Sequence, residues 1–215
     1  AMDKIISKKI FKKNNILTPK YFLLDKLNRT QTNLNKMIKK KGLKFPVIIK
    51  PSNEGSSIGV KICKNLKNLS SEAKRLVKKY NNLIIEQYIG GQEIQVAVMN
   101  KKALGAIELK PKRNFYDYKA KYQKSAKTDH IMPAQLNTKN YKEILKIAEH
   151  AHNILNCRGV TRSDFKFFKD KFYILELNTQ PGMTNLSLVP EIAKYRKISF
   201  DLLVNKILLD AGINR

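Results

Sequence analysis

Asp164, Glu176 and Asn178 stand out in this 215-residue sequence as three oxygen-bearing side chains close enough to act on one ligand. They lie in residues 160–184, V-T-R-S-D-F-K-F-F-K-D-K-F-Y-I-L-E-L-N-T-Q-P-G-M-T. Two apolar runs there, 160–168 and 172–177, flank the charged turn Lys169-Asp170-Lys171 and predict a β-hairpin. Side chains alternate along a strand, so Glu176 and Asn178 share a face, and the hairpin can bring Asp164 opposite them. Two carboxylates and an amide oxygen beside Arg162, itself two residues from Asp164, suit a hard cation and the phosphates it carries. A solvated hairpin face would account for Asp164 alone. It does not account for Glu176, which lies inside the apolar run I-L-E-L, where an unpaired carboxylate is costly. Residues 179–184 read as a turn-rich loop.

Three further stretches have chemical potential. Lys50-Pro51-x-x-x-Gly55-Ser56-Ser57-x-Gly59 is a strand end followed by a Gly/Ser loop, whose free N–H groups and lysine suit phosphate oxygens. It is neither G-x-x-x-x-G-K-[ST] nor G-x-G-x-x-G, and a Gly/Ser turn alone is more often only a turn. Glu86-Gln87-Tyr88-Ile89-Gly90-Gly91-Gln92-Glu93 joins two apolar runs, with a carboxylate at each end and an apolar pair between them. The Tyr/Lys-rich run at residues 116–122 could meet any anion.

The elements that must position these groups follow from periodicity. Helices are expected over residues 2–14, 34–40 (ending at Gly42), 71–80 (capped by Ser70 or Ser71), 137–155 and 189–195. A last helix starts after Ser199 and is ended by Gly212. Strands are expected over 20–24, 45–51, 60–63, 83–87, 93–99 and 104–108, and residues 110–128 read as a long functional loop. Along the chain the grouping runs α/β, then β-rich, then α+β.

Lys and Arg outnumber Asp and Glu 43 to 17, giving +26. The lysines are spread over every segment with no basic stripe of interleaved aromatics, so diffuse solvated charge outweighs a nucleic-acid site. Cys63 and Cys157 are too few for a disulfide framework and lack metal-site spacing, which favours a reducing compartment. No run reaches the length of a membrane span, the first residues are no signal peptide, and a cytoplasmic protein is expected.

The pattern R-x-D followed by L-E-L-N-T-x-P-G-M-T resembles the second half of the ATP-grasp module of D-alanine–D-alanine ligases. That resemblance implies an ATP-grasp fold of two α+β lobes clasping a nucleotide. Residues 1–20 would form an interdomain helix and connection, 21–90 the central lobe, and 91–215 the C-terminal lobe with an omega-type lid. It implies two Mg²⁺ ions, replaceable by Mn²⁺, on Asp164, Glu176 and Asn178. ATP would lie against Lys4, Lys50, Ser57, Glu86, the backbones of Gln87 and Ile89, Glu93 and Lys121. Ser56 and Tyr122 would orient substrate, Arg162 and the Gly182 loop would meet the oxyanion, and Ser187 with the backbone of Leu188 would take the second D-alanine carboxylate. A helix cap is the plainer role for Ser187. Tyrosine at 122, where depsipeptide-forming relatives commonly carry histidine, favours a dipeptide product.

The implied function is ATP-dependent ligation of two D-alanines through an acyl phosphate, for peptidoglycan and cell-wall synthesis. No nucleic acid or membrane partner is implied, and a homodimer of the complete protein is compatible. Thr161 and Ser163 depart from the family pattern around the arginine. None of His130, His150 and His152 is followed by Gly, so the family's H-G-x-x-G-E-D-G segment is missing. The chain is therefore expected to match only the central and C-terminal parts and, lacking the first-substrate domain, to ligate poorly alone. The competing readings are another ATP-grasp carboxylate–amine ligase and, behind it, a basic nucleic-acid-binding protein.

Overall fold

Asp3 starts the first helix as its N-cap: its carboxylate accepts from the N–H groups of Ile5 and Ile6 at 2.7 and 3.0 Å. The computed structural model describes residues 3–24, 33–55, 57–111, 128–184 and 186–211. Helix α1 (Lys4–Lys13) sends Phe11 into the core, while Lys4 and Lys8, one turn apart, share a different face. Among the described residues no helix is long and apolar enough to cross a membrane.

The first sheet comprises β1 (Tyr21–Leu24), β2 (Val47–Pro51), β3 (Lys61–Cys63) and β4 (Leu83–Gln87), in the order β1-β4-β2-β3 with every pair antiparallel. Alternation sorts its side chains. Phe22, Val47, Ile49, Leu83 and Ile85 pack beneath α2 (Leu34–Lys40) and α3 (Leu66–Leu76), while Ile48, Lys50 and Glu86 face the other way. Helix α3 begins before the expected residue 71. Asn65 caps it, accepting from the Asn68 N–H at 2.9 Å, and Ser70 and Ser71 sit inside it. The deciding stripe is Leu69, Ala73 and Leu76, all buried. Val77 and Tyr80 pack on the same core just past its end.

The second sheet comprises β5 (Gln92–Met99), β6 (Lys102–Pro111), β7 (Thr128–Ile131), β8 (Val160–Phe168) and β9 (Lys171–Asn178), in the order β7-β6-β5-β8-β9, again antiparallel. One face buries Ile94, Val96, Phe165 and Ile174 under α4 (Thr138–Ile154) and Phe11. The opposite face is covered at one end by α5 (Leu188–Tyr195) and α6 (Phe200–Asp210) and is open to a cleft at the other. The hairpin turn is tighter than expected: Lys169 and Asp170 both have positive φ, 49° and 55°, and Lys171 already belongs to β9.

The expected loop 110–128 has strand at both ends, because Lys110 and Pro111 pair with Asp129 and Thr128. Leu109 and Ile107 alternate into the core, but His130 and Asp129 are exposed, so β7 carries no periodic apolar signal. Ser56, Lys121, Tyr122 and Gly212 lie outside the described residues.

Candidate nucleotide and metal site

A cleft open to solvent lies between the two sheets, lined by residues of both. The wall from the first sheet carries a buried charge cluster. Lys50 on β2 pairs with Ile84, one residue before Glu86's neighbour on β4, and its Nζ lies 2.5 Å from Glu86 Oε1. Lys8 reaches the other oxygen, Oε2, at 3.0 Å from α1 and donates to Thr18 Oγ1 at 2.6 Å. Burial pushes the Lys8 ammonium down, opposed by Glu86 and reinforced by Lys50, leaving it at about 8. Burial alone would raise the Glu86 carboxyl; Lys50 and then Lys8 overcome this and hold it below its ordinary 4.5.

A carboxyl whose folded value is depressed contributes stability that is whole above its unfolded value and is lost as pH falls through the folded one. Calorimetric scans are therefore expected to show the folded state weakening below a pH of about 4.5. The acid-side slope should be smaller when Lys8, Lys50 and Glu86 are replaced together by methionine. An unchanged slope would remove this cluster from the acid response.

The wall from the second sheet is set by β8 and β9. Asp164 stands directly across from Glu176, and Arg162 across from Asn178. Phe165 pairs with Ile174, so Leu175 is an extra residue between two paired positions, a β-bulge. Strict alternation would put Glu176 on the same face as Ile174, in the core. The bulge instead lets Ile174 and Leu177 both enter the core while Leu175 and Glu176 both line the cleft. Arg162 grips Asp164 through two bonds, Nε to Oδ1 at 2.8 Å and Nη2 to Oδ2 at 3.1 Å. Lys4 approaches Glu176 Oε2 to 3.2 Å and donates to the Glu54 carbonyl at 2.5 Å, so α1 ties the Gly/Ser loop to β9.

This donor set fits a hard divalent cation. It is all oxygen: two carboxylates on paired residues of one strand pair, with the Asn178 amide oxygen as the third donor. The orphaned buried atom of that amide, among the described residues, is its Nδ2, a hydrogen-bond donor that offers a cation nothing. The described residues hold no cluster of three His, Cys, Asp or Glu, as befits two carboxylates and an amide.

The remaining candidates divide. Ser57, Gln87, Ile89 and Glu93 line the cleft with Lys4, Lys50 and Glu86. The Gln87 N–H is taken by the Lys20 carbonyl at 2.8 Å, and its side chain is bonded to the backbone of Lys44 and Pro46. Glu93 is not bare: Lys166, its cross-strand partner, lies 3.0 Å away. Arg162, Asn178, Gly182, Ser187 and Leu188 are not among the residues lining this cleft. Ser187 is the N-cap residue of α5, but its hydroxyl makes no cap bond and turns back to the Thr184 N–H and Oγ1, each at 2.9 Å. A Cβ on Gly182 would stand 2.8 Å from the Ser187 Oγ, so the two residues meet only because 182 is glycine. Leu188 buries its side chain in the core beneath α5, which leaves only its backbone for a ligand.

Sequence reasoning missed Lys8 and Lys166. Lys166 was legible, since it is two residues beyond Asp164 on a strand already assigned to the site. Lys8 carried a weaker signal, a second lysine one turn after Lys4 within a helix rich in lysine.

A family model for the D-ala D-ala ligase C-terminus matches residues 10–209. The chain is 60% identical to the D-alanine–D-alanine ligase of Pelagibacter ubique (strain HTCC1062), over all of its own length and 69% of that relative. Two crystal structures of the ligase from Bacillus anthracis, the second complexed with ATP, match with TM-scores of 0.84 and 0.82 and identities of 32% and 28%. Both alignments take in 97% of this chain, against 66% and 65% of the solved ones. It thus spans about two thirds of the length of the relatives it matches. With the family model aligned over nearly the whole chain and the fold shared with solved members, the chain belongs to the D-alanine–D-alanine ligase family, ATP-dependent carbon–nitrogen ligases of the ATP-grasp fold.

Proposed function

We propose that this chain binds ATP in the cleft between its two sheets and serves the ATP-dependent joining of two D-alanines in the cytoplasm, for peptidoglycan. The observation that carries the reading is the opposition of Asp164 and Glu176 on one cleft wall to the ion-paired Lys50 and Glu86 on the other. On this reading residues 1–20 connect, 21–90 form the central lobe and 91–215 the C-terminal lobe.

Adenine lies in the apolar part of the cleft against Ile48, Tyr88, Ile89 and Leu175. Glu86 accepts from its amino group, the backbones of Gln87 and Ile89 read its edge, and Glu93 takes the ribose hydroxyls. Lys4, Lys50 and the loop at Ser57 face the phosphates, and the family resemblance adds Lys121 to them. Asp164, Glu176 and Asn178 would hold the Mg²⁺ ions, which supply charge neutralisation at the phosphates when bound.

The first D-alanine carboxylate attacks the γ-phosphorus, the bond to the β,γ-bridging oxygen breaks, and ADP leaves an acyl phosphate. The second D-alanine, its carboxylate on Ser187 and the Leu188 backbone, attacks the acyl carbon through its amine, with Ser56 and Tyr122 orienting it. Arg162 and the N–H groups of the Gly182 loop stabilise the oxyanion of the tetrahedral intermediate. The C–O bond then breaks, inorganic phosphate departs, and the amine gives up its proton to leave the peptide bond.

The test is D-alanine-dependent ADP release with identification of the dipeptide, on the 215-residue chain and on a form extended to its relatives' length. D-alanyl-D-alanine is expected as the product in a panel that includes other amino- and hydroxy-acids. A different preferred acceptor would favour another carboxylate–amine ligase. Tight nucleic-acid binding with a steep salt slope and no effect of ATP would favour the basic binding protein.

A further inference from the structure

Lys8 is the group whose placement the mechanism above does not use. Its side chain and that of Glu86 are each 1% exposed, yet Glu86 belongs to the cleft wall. An ammonium so thoroughly removed from water is expensive unless fully engaged, and Lys8 is engaged: Glu86 Oε2 at 3.0 Å, Thr18 Oγ1 at 2.6 Å, and the ring of Tyr21 with its centroid 5.4 Å away. Lys50 already neutralises Glu86 through the other oxygen at 2.5 Å. Lys8 is therefore a surplus positive charge, retained in a place where charge balance does not require it.

Holding both oxygens, from two elements far apart in sequence, has a specific consequence. A carboxylate gripped on one oxygen can still turn about its last bond or take up a proton. Glu86 is faced on Oε2 by a second ammonium as well, an ion-pair contact at 3.0 Å that leaves Oε2 without a hydrogen-bond partner among the described residues. It therefore keeps its charge and orientation and has an oxygen left to accept a hydrogen bond. We propose that Lys8 is a positioning residue for base selection. By locking Glu86 as an oriented, ionised acceptor, it makes the cleft prefer a nucleotide whose base presents an amino group over one presenting a keto oxygen at the same place. This rests on the nucleotide-binding reading of the cleft. Lys8 itself touches no nucleotide; it acts through Glu86, with Thr18 holding its ammonium in line.

The experiment compares equilibrium binding of ATP and inosine triphosphate, each with Mg²⁺, to the chain and to Lys8→Met. Methionine keeps an unbranched stem of similar length, and its removal of the surplus charge leaves Lys50 and Glu86 as a balanced pair, so the fold is expected to persist by circular dichroism. The unsubstituted chain should favour ATP, and Lys8→Met should lower that preference roughly tenfold, as expected for disturbing a hydrogen bond to a charged group, while inosine triphosphate binding changes little. Thr18→Val, which removes only the hydroxyl that aligns Lys8, should shift the preference in the same direction by less and serves as the deciding variant if Lys8→Met does not fold. Equal weakening of both nucleotides, or an unchanged preference, would overturn the role of Lys8 and leave the nucleotide site standing. Failure of the unsubstituted chain to bind either nucleotide would overturn the reading of the cleft itself.

Discussion

Replacing Arg162 by methionine is expected to lower the rate of D-alanyl-D-alanine formation by about 10²–10³-fold, the usual loss when one preorganised oxyanion donor is removed. Arg162 lies on β8 directly across from Asn178 and holds both oxygens of Asp164. Its charge is thus fixed beside the carboxylates instead of sampling solvent, the condition under which a guanidinium stabilises a developing negative charge without first reorganising. The loss should fall on turnover with both D-alanines present, while nucleotide binding persists, since Arg162 is not part of the cleft lining. Arg162→Lys is the informative companion. Lysine keeps the charge but cannot form the two-pronged contact with Asp164, so a largely uncorrected defect is expected. Steady-state rates near those of the unsubstituted protein in Arg162→Met would remove the arginine from the chemistry.

Gly91→Ala is expected to destabilise the fold by about 3–5 kcal/mol, a strained backbone and a steric clash acting together. Gly91 has φ +80°, which alanine adopts only at a cost, and a Cβ there would stand 2.1 Å from the Phe167 carbonyl oxygen. That oxygen is backbone of β8, whose Phe167 pairs with Gln92 at the start of β5, so nothing flexible can yield. Relief would require β5 and β8 to separate at the cleft end, beside the Glu93–Lys166 pair. For a chain of this size a loss of that order corresponds to roughly 10 °C in the thermal midpoint. A calorimetric midpoint within a few degrees of the unsubstituted chain would show that the two strands tolerate the separation.

Much of the candidate site was legible because strands and helices have short, fixed periods. The hairpin over residues 160–178 follows from two apolar runs around a charged turn, and the alternation within β8 puts Arg162, Asp164 and Lys166 on one face. The helix expected at 137–155 has Thr138–Ile154 as its observed extent, capped by Asn137, because Ile144, Ala148 and Ala151 recur at helical spacing and are all buried. Helix α3 was misplaced because its own cap, Asn65, competes with two serines that are equally good cap residues inside it. Local preference ranks Asn and Ser alike; only the burial of Leu69 against the first sheet separates them.

Residue types at fixed short spacings were enough to locate every strand but β7, to single out Asp164, Glu176 and Asn178 as candidate oxygen donors, and to carry the family resemblance. Tertiary structure alone decided which face Glu176 takes. Alternation read from Ile174 sends it into the core, and the bulge at Leu175 reverses that because register is a property of two strands and not of one. It also decided the partners of the lysines. Helix α1 carries five lysines. Only the approach of β4 singles out Lys8 for Glu86, and only that of β9 singles out Lys4 for Glu176. Charge pairing across such separations depends on where the chain returns in space, and no local pattern encodes that.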